Sequence, residues 1–234
     1  MIIYFRACEK QETISYVTRF KNTDKTSILK KCWNSLNSSI TSDDKVILIE
    51  DSLSEFTLNY IKETSHASET IIVSVPEHDW SVHQHTIELI NALEKYSEEY
   101  PEELHYLVED DYLHVPQAVR LLQENLKNWI GFAVSYDYPD RYVDMLDCKV
   151  LLGFDRHWRT INSSTMTVLA KGSTWLRHIS QLKEAAPTSN DKVFETIYAS
   201  TPCISPLPSI SSHMTDRHLS PLIDWNKLWN QIEL

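Results

Sequence analysis

The chain has 234 residues, of which 42% are hydrophobic, enough for one domain with a substantial core. It carries 22 Lys and Arg against 33 Asp and Glu, a net charge of -11, which disfavours a long non-specific grip on nucleic acid because that grip needs many cations on phosphates. The three glycines, Gly131, Gly153 and Gly172, are isolated from one another, which excludes both the G-x-G-x-x-G dinucleotide fingerprint and the P-loop.

In chain order, short apolar runs alternate with longer amphipathic segments, the pattern of an α/β fold with a mainly parallel sheet. Residues 2–5 read as a first strand, too short before Arg6 to be a signal peptide. Residues 24–36 read as a helix, with Ile28, Leu29, Cys32, Trp33 and Leu36 on one face. A strand over 46–49 ends in Glu50-Asp51, a helix follows at 53–61, and a strand at 71–75 closes at Pro76. A long helix is expected over 82–96, then a strand over 105–108 that runs directly into Glu109-Asp110-Asp111. Residues 115–126 read as a helix with Pro116 in its first turn, and 130–134 as a buried strand. Further strands are expected at 150–152 and 166–169, and helices at 174–182 and 192–198. Prolines and serines mark 201–221 as irregular, before a short closing helix over 222–228. No stretch approaches the roughly 18 apolar residues of a membrane span, so the expectation is a cytoplasmic chain without a tether. Cys8, Cys32, Cys148 and Cys203 are scattered, which disfavours a zinc ribbon or redox dithiol and reads as reduced core residues.

Ligands of open α/β sheets collect at the carboxyl ends of strands. Glu50-Asp51, Glu109-Asp110-Asp111 and Asp137 all fall there, and their convergence is expected. The acidic triplet is the most informative. Burying three adjacent carboxylates costs several kcal/mol unless something compensates, and a divalent cation is the most direct compensation. An exposed acidic turn is the alternative.

The segment Leu107-Val108-Glu109-Asp110-Asp111-Tyr112-Leu113-His114-Val115-Pro116 resembles the D-x-D region of GT-A fold, nucleotide-sugar-dependent glycosyltransferases, in the E-D-D form of the N-acetylglucosaminyltransferase I group. The likeness extends to Tyr4-Phe5-Arg6, to Thr18-Arg19-Phe20 with Lys25 and Ile28-Leu29, and to Cys32-Trp33-Asn34-Ser35-Leu36, which resemble the first strand and helix of the nucleotide-binding half. The resemblance implies a Rossmann-like GT-A sheet, mainly parallel and flanked by helices, in one domain over 1–234. Within it, 1–113 would bind the nucleotide sugar, and 114–234 would form the acceptor side with a C-terminal loop and helix.

By the same resemblance Asp111 would coordinate Mn²⁺ or Mg²⁺, Glu109 and Asp110 would touch the donor's sugar and ribose, Arg6 would lie near the nucleotide, and Asp51 against its base or ribose. A surface ion pair is the alternative for Arg6 and Asp51. Ser189-Asn190-Asp191-Lys192-Val193-Phe194 falls where inverting members carry their catalytic carboxylate, making Asp191 the candidate general base, with a helix N-cap as its other reading. Pro208-Ser209-Ile210-Ser211-Ser212-His213 resembles the late segment in which some GT-A enzymes add a histidine to the metal or the diphosphate. His218 competes with His213 for that role.

The activity so implied is metal-dependent transfer of a sugar from a nucleoside diphosphate sugar, a UDP-sugar, to an acceptor hydroxyl with inversion. A saccharide is the favoured acceptor. A hydroxylated nucleic-acid base is the second, served by a local basic patch of Arg120, Lys127, Arg156, Arg159 and Lys171. Two other classes draw on similar residues: a metal-dependent phosphohydrolase or nuclease, and a non-catalytic nucleotide-sugar-binding protein of GT-A type. His78, Asp79, His83 and His85 form a dense cluster of zinc-ligand types, but their spacing matches no motif and they read as a solvated face. Tyr136-Asp137-Tyr138-Pro139-Asp140-Arg141-Tyr142 resembles an acceptor-side segment or an ordinary packed loop. Trp158, after Asp155-Arg156-His157, reads as core packing, with a role in shaping the acceptor side as its other reading.

Overall fold

Apolar runs that are hydrophobic at every position suit strands buried on both faces, as parallel strands covered by helices are. In the computed structural model, which describes residues 1–10, 19–78, 82–143 and 147–234, four such runs form β1 (Ile2–Cys8), β2 (Lys45–Asp51), β3 (Glu69–Ser74) and β4 (Leu104–Glu109), paired in parallel in the order β3-β2-β1-β4. Side chains alternate across the pleat. Ile2 and Tyr4 of β1 enter one core layer, and Ile3, Phe5 and Ala7 the other.

The sheet continues through β9 (Val168–Lys171), β6 (Phe132–Val134), β10 (Cys203–Leu207), β8 (His157–Ile161) and the edge strand β7 (Val150–Leu152). Among the described residues it has nine strands, and only β9 and β8 run against the other seven. Helices α3 (Gln84–Glu99), α5 (Gly172–Ala185) and α6 (Val193–Ser200) cover one face through Leu89, Leu93, Trp175 and Phe194. Helices α1 (Lys25–Asn37), α2 (Glu55–Thr64) and α4 (Ala118–Leu126) cover the other through Trp33, Leu36, Ile61 and Leu122. A satellite core under α1 gathers Phe20, Ile28, Leu113 and Met214 with Trp225 and Trp229 of α7 (Trp225–Gln231). The architecture is α/β and Rossmann-like, a mainly parallel sheet flanked by helices in a single domain. No helix among the described residues is long and apolar enough to cross a membrane.

Several expectations need correction. Residues 201–221 are not irregular: they hold β10 and β11 (Ser211–His213), the latter paired antiparallel with β5 (Tyr112–His114). The serines point inward and satisfy one another, with Ser135 Oγ and Ser211 Oγ 2.6 Å apart and Ser209 Oγ donating to the Ser135 carbonyl at 3.2 Å. Pro116 precedes α4 rather than opening it, and Gln117 takes a left-handed φ of 62° to start the helix. The cysteines are free, but Cys148 is exposed, so not all four are core residues. Glycine serves close packing here: a Cβ on Gly131 would stand 2.3 Å from the Pro202 carbonyl, and one on Gly172 2.8 Å from that of Tyr100.

Candidate functional site

The parallel register sets Cys8 beside Asp51 and Arg6 beside Glu109, so β1, β2 and β4 end at one edge of the sheet. A cleft of about 660 Å³ opens there. Arg6, Asp51, Glu109, Asp110, Asp111, Asp191 and His213, the seven residues singled out in the sequence, all line it.

The β5–β11 pairing places His213 opposite Tyr112 and thereby next to Asp111. His213 Nε2 lies 3.0 Å from Asp111 Oδ2, and the Asp111 carbonyl accepts the Met214 N–H at 2.8 Å. The His213 ring stacks with Tyr112, 5.2 Å away at 8°, and with His218, 5.5 Å away at 7°. His218 itself engages Thr215 Oγ1 at 2.9 Å, so it is His213 that meets the acid. Burial acts to raise the Asp111 carboxyl, but His213, Lys25 and Arg6 outweigh it and hold it well below the usual range. His213 is raised in turn, Asp111 and Glu109 overcoming the opposing effect of burial.

Glu109 closes β4 and accepts a hydrogen bond from Arg6 Nη2 and another from Thr167 Oγ1 at 3.3 Å. Burial pushes its carboxyl up, Arg6 opposing, with Asp111 and Asp110 adding to the rise. Asp110 is held by Lys25 Nζ on Oδ1 and by the Cys8 N–H on Oδ2 at 2.8 Å. The Cys8 thiol is pushed up to about 11 by burial and by Asp51, so it stays protonated at neutral pH.

Asp191 lies in the turn before α6. It does not cap that helix with its side chain: the cap position is Lys192, and Asn190 Oδ1 accepts the Lys192 N–H at 3.2 Å. Asp191 Oδ1 is buried and, among the described residues, has no hydrogen-bond partner. Burial first, and then Glu109, push its carboxyl up to about 7 against the opposing pull of Arg6. Two non-glycine residues in left-handed backbone conformations flank the acids, Ser52 at φ 57° after Asp51 and Ser189 at φ 46° before Asp191.

Asp51 is 1% exposed and accepts Ser52 Oγ on Oδ1 at 3.0 Å. His85 Nδ1 and His78 Nε2 stand 3.5 and 3.7 Å from its Oδ2. Burial raises Asp51, but His85, Ser52 and His78 together hold it below the usual carboxylate range. The histidine cluster is therefore not a solvated face, since the His78 and His85 side chains are 11% and 12% exposed. Asp79 and Thr18 lie outside the described residues. Nor are Arg6 and Asp51 a surface ion pair, because Arg6 is paired with Glu109 and Asp51 is buried.

Asp137 does not join the cleft. Arg159 reaches it from β8, Nε at 3.0 Å and Nη2 at 2.6 Å, and Ser205 Oγ adds a bond at 3.0 Å. Of the residues considered for a basic patch, Arg159, Arg156, Lys171 and Arg120 are each paired with an acid. Trp158 is buried core, as expected. Three cleft-lining cations, Lys10, Arg19 and Lys25, were not singled out as site residues. For Lys25 a signal exists, because Asp24 caps α1 through the Ser27 N–H at 2.8 Å and so makes Lys25 its first residue.

No protein family matches the chain, and no curated protein matches it in sequence. Among solved structures the chain is similar to the crystal structure of A197 from STIV, at 11% sequence identity over 94% of this chain and 90% of that one, with a TM-score of 0.43.

Proposed function

We propose that the chain is a metal-dependent glycosyltransferase of GT-A type, moving a sugar from a nucleoside diphosphate sugar, preferably a UDP-sugar, to a saccharide hydroxyl with inversion. One observation carries the reading: the Asp111–His213 pair and a buried Asp191 carboxyl pushed up to about 7 share a single cleft at the carboxyl ends of parallel strands.

Asp111 and His213 fit a divalent cation. Their side chains are 31% and 24% exposed, one offers an anionic oxygen and the other a ring nitrogen, and stacking by Tyr112 fixes the ring. A Mn²⁺ or Mg²⁺ ion there would neutralise charge on the leaving diphosphate and act as a Lewis acid. Lys25, Arg19 and the start of α1 add positive potential for the phosphates. Glu109 and Asp110 face the donor while holding Arg6 and Lys25 in place.

Asp191 serves as general base. The acceptor oxygen bonds to the anomeric carbon, the bond from that carbon to the diphosphate breaks with its electron pair leaving on the diphosphate, and the acceptor's proton passes to Asp191. The test is a thermal-shift panel of nucleotide sugars with Mn²⁺ or EDTA, followed by product analysis. Metal-dependent stabilisation and donor turnover are expected. Stabilisation by none of the donors overturns the reading, and binding without turnover reduces it to a binding protein.

A further inference from the structure

We propose that Asp51, His78 and His85 form a zinc-class transition-metal site at the β2–β3 end of the cleft, separate from the Asp111–His213 pair. The three ligand atoms come from three elements. Asp51 ends β2, His78 follows β3, and His85 lies in the first turn of α3, so the triad forms only when α3 packs over that edge of the sheet. One ligand atom from each lies within 4.8 Å of the others. The separations from Asp51 Oδ2, 3.5 Å to His85 Nδ1 and 3.7 Å to His78 Nε2, are too long for good hydrogen bonds. They are close to the separation of about 3.3–3.5 Å that adjacent ligands adopt around tetrahedral zinc, given its bond lengths.

Two independent features prepare the donors. The remaining nitrogen of His78, Nδ1, lies 3.0 Å from the Pro76 carbonyl. A carbonyl only accepts, so Nδ1 carries a proton and Nε2 is the ring nitrogen turned toward Asp51, the arrangement that metal-binding histidines hold through a backbone carbonyl. On the other side, Ser52 engages Oδ1 of Asp51, while Oδ2 is buried and has no hydrogen bond among the described residues. His83 packs edge-on against His85 at 5.5 Å and helps to orient its ring.

Two imidazoles and one carboxylate favour Zn²⁺ and its neighbours over Mg²⁺, which prefers an all-oxygen shell. Three protein ligands leave a tetrahedral ion one open position. Asp51 and His85 line the cleft, so that position faces the same space as Arg6 and Asp191. The inference does not rest on sugar transfer.

Isothermal titration of the metal-stripped full chain with Zn²⁺, alone and in excess Mg²⁺, together with Co²⁺ absorption spectra, tests it. One equivalent of Zn²⁺ that Mg²⁺ does not displace is expected, with a tetrahedral Co²⁺ spectrum. His78→Ala and His85→Ala should each weaken Zn²⁺ at least about 100-fold, and Asp111→Asn should leave it unchanged. Should His78→Ala fail to fold without metal, His78→Gln keeps the bulk and a donor to Pro76 and is read in the same way. Absence of Zn²⁺ uptake by the stripped protein, wild-type affinity in the His78 variants, or loss of binding in Asp111→Asn alone would each overturn the proposal. A chain that binds Zn²⁺ in this way but turns over no nucleotide sugar retains this site and loses only the proposed activity.

Discussion

Asp111 and Asp137 each follow a buried strand at the same edge of the sheet, but their surroundings differ in one respect that decides what each can do. Asp137 is 0% exposed, and its two oxygens are taken by Arg159, Ser205 and Tyr142. Asp111 remains 31% exposed toward the cleft and meets His213. A carboxylate saturated by protein donors is structural; one left with open lone pairs is available to a ligand. The substitutions should separate accordingly. Asp137→Ala leaves Arg159 buried without its anion and should cost about 3–5 kcal/mol of stability, read by denaturant unfolding. Asp111→Asn should change stability by at most about 1 kcal/mol, because its partner pair is partly exposed, while abolishing Mn²⁺-dependent stabilisation by a nucleotide sugar. A large stability loss at Asp111 with metal response intact would erase the contrast.

Asp191 sharpens the comparison because it is neither saturated nor paired by a hydrogen bond on Oδ1. Its replacement by Asn should lower turnover about 100- to 10,000-fold, the usual span for a general base, with donor binding retained. Its carboxyl, normally near 3.8, is pushed up to about 7. A base must be ionised, so the wild-type rate should fall about tenfold per pH unit below about 7 and level off above it. A limb near pH 4 instead would show that burial does not control this group. Stability runs the opposite way: between the two values the folded protein keeps a proton that the unfolded chain releases, so stability falls as pH rises from about 4 to about 7. Asp191→Asn removes that penalty. It should stabilise the fold by on the order of 1–3 kcal/mol at pH 8 and by almost nothing at pH 4, measured by unfolding at both.

The strands were legible because an apolar run of four or five residues followed by acids matches a parallel strand and its functional end, as in Val46 to Asp51 and His105 to Asp111. The residues that the resemblance picked out, from Arg6 through the acidic triplet to Asp191 and His213, are brought together by the cleft. What escaped depends on contacts distant in sequence. The Asp137–Arg159 bond joins the end of β6 to β8 across the intervening β10, an order no local pattern encodes. The meeting of His78 and His85 with Asp51 requires α3 to close over β2 and β3. Serine-rich β10 and β11 looked like loop because their hydroxyls find partners inside the core, where composition predicts water.

The smallest effect concerns the start of α1. Asp24 caps that helix through the Ser27 N–H, and the next residue, Lys25, holds Asp110. Asp24→Ala should cost about 1 kcal/mol of stability, as loss of an N-cap usually does. Because the cap positions Lys25 without touching the reacting atoms, its loss should also weaken donor binding a few-fold and leave turnover at saturating donor unchanged. The split between KM and kcat distinguishes this from the Asp191 side of the cleft, where the effect falls on kcat. If kcat drops together with affinity, the beginning of α1 moves the metal-binding acid as well, and the division between a donor-holding strand end and a proton-accepting turn does not hold.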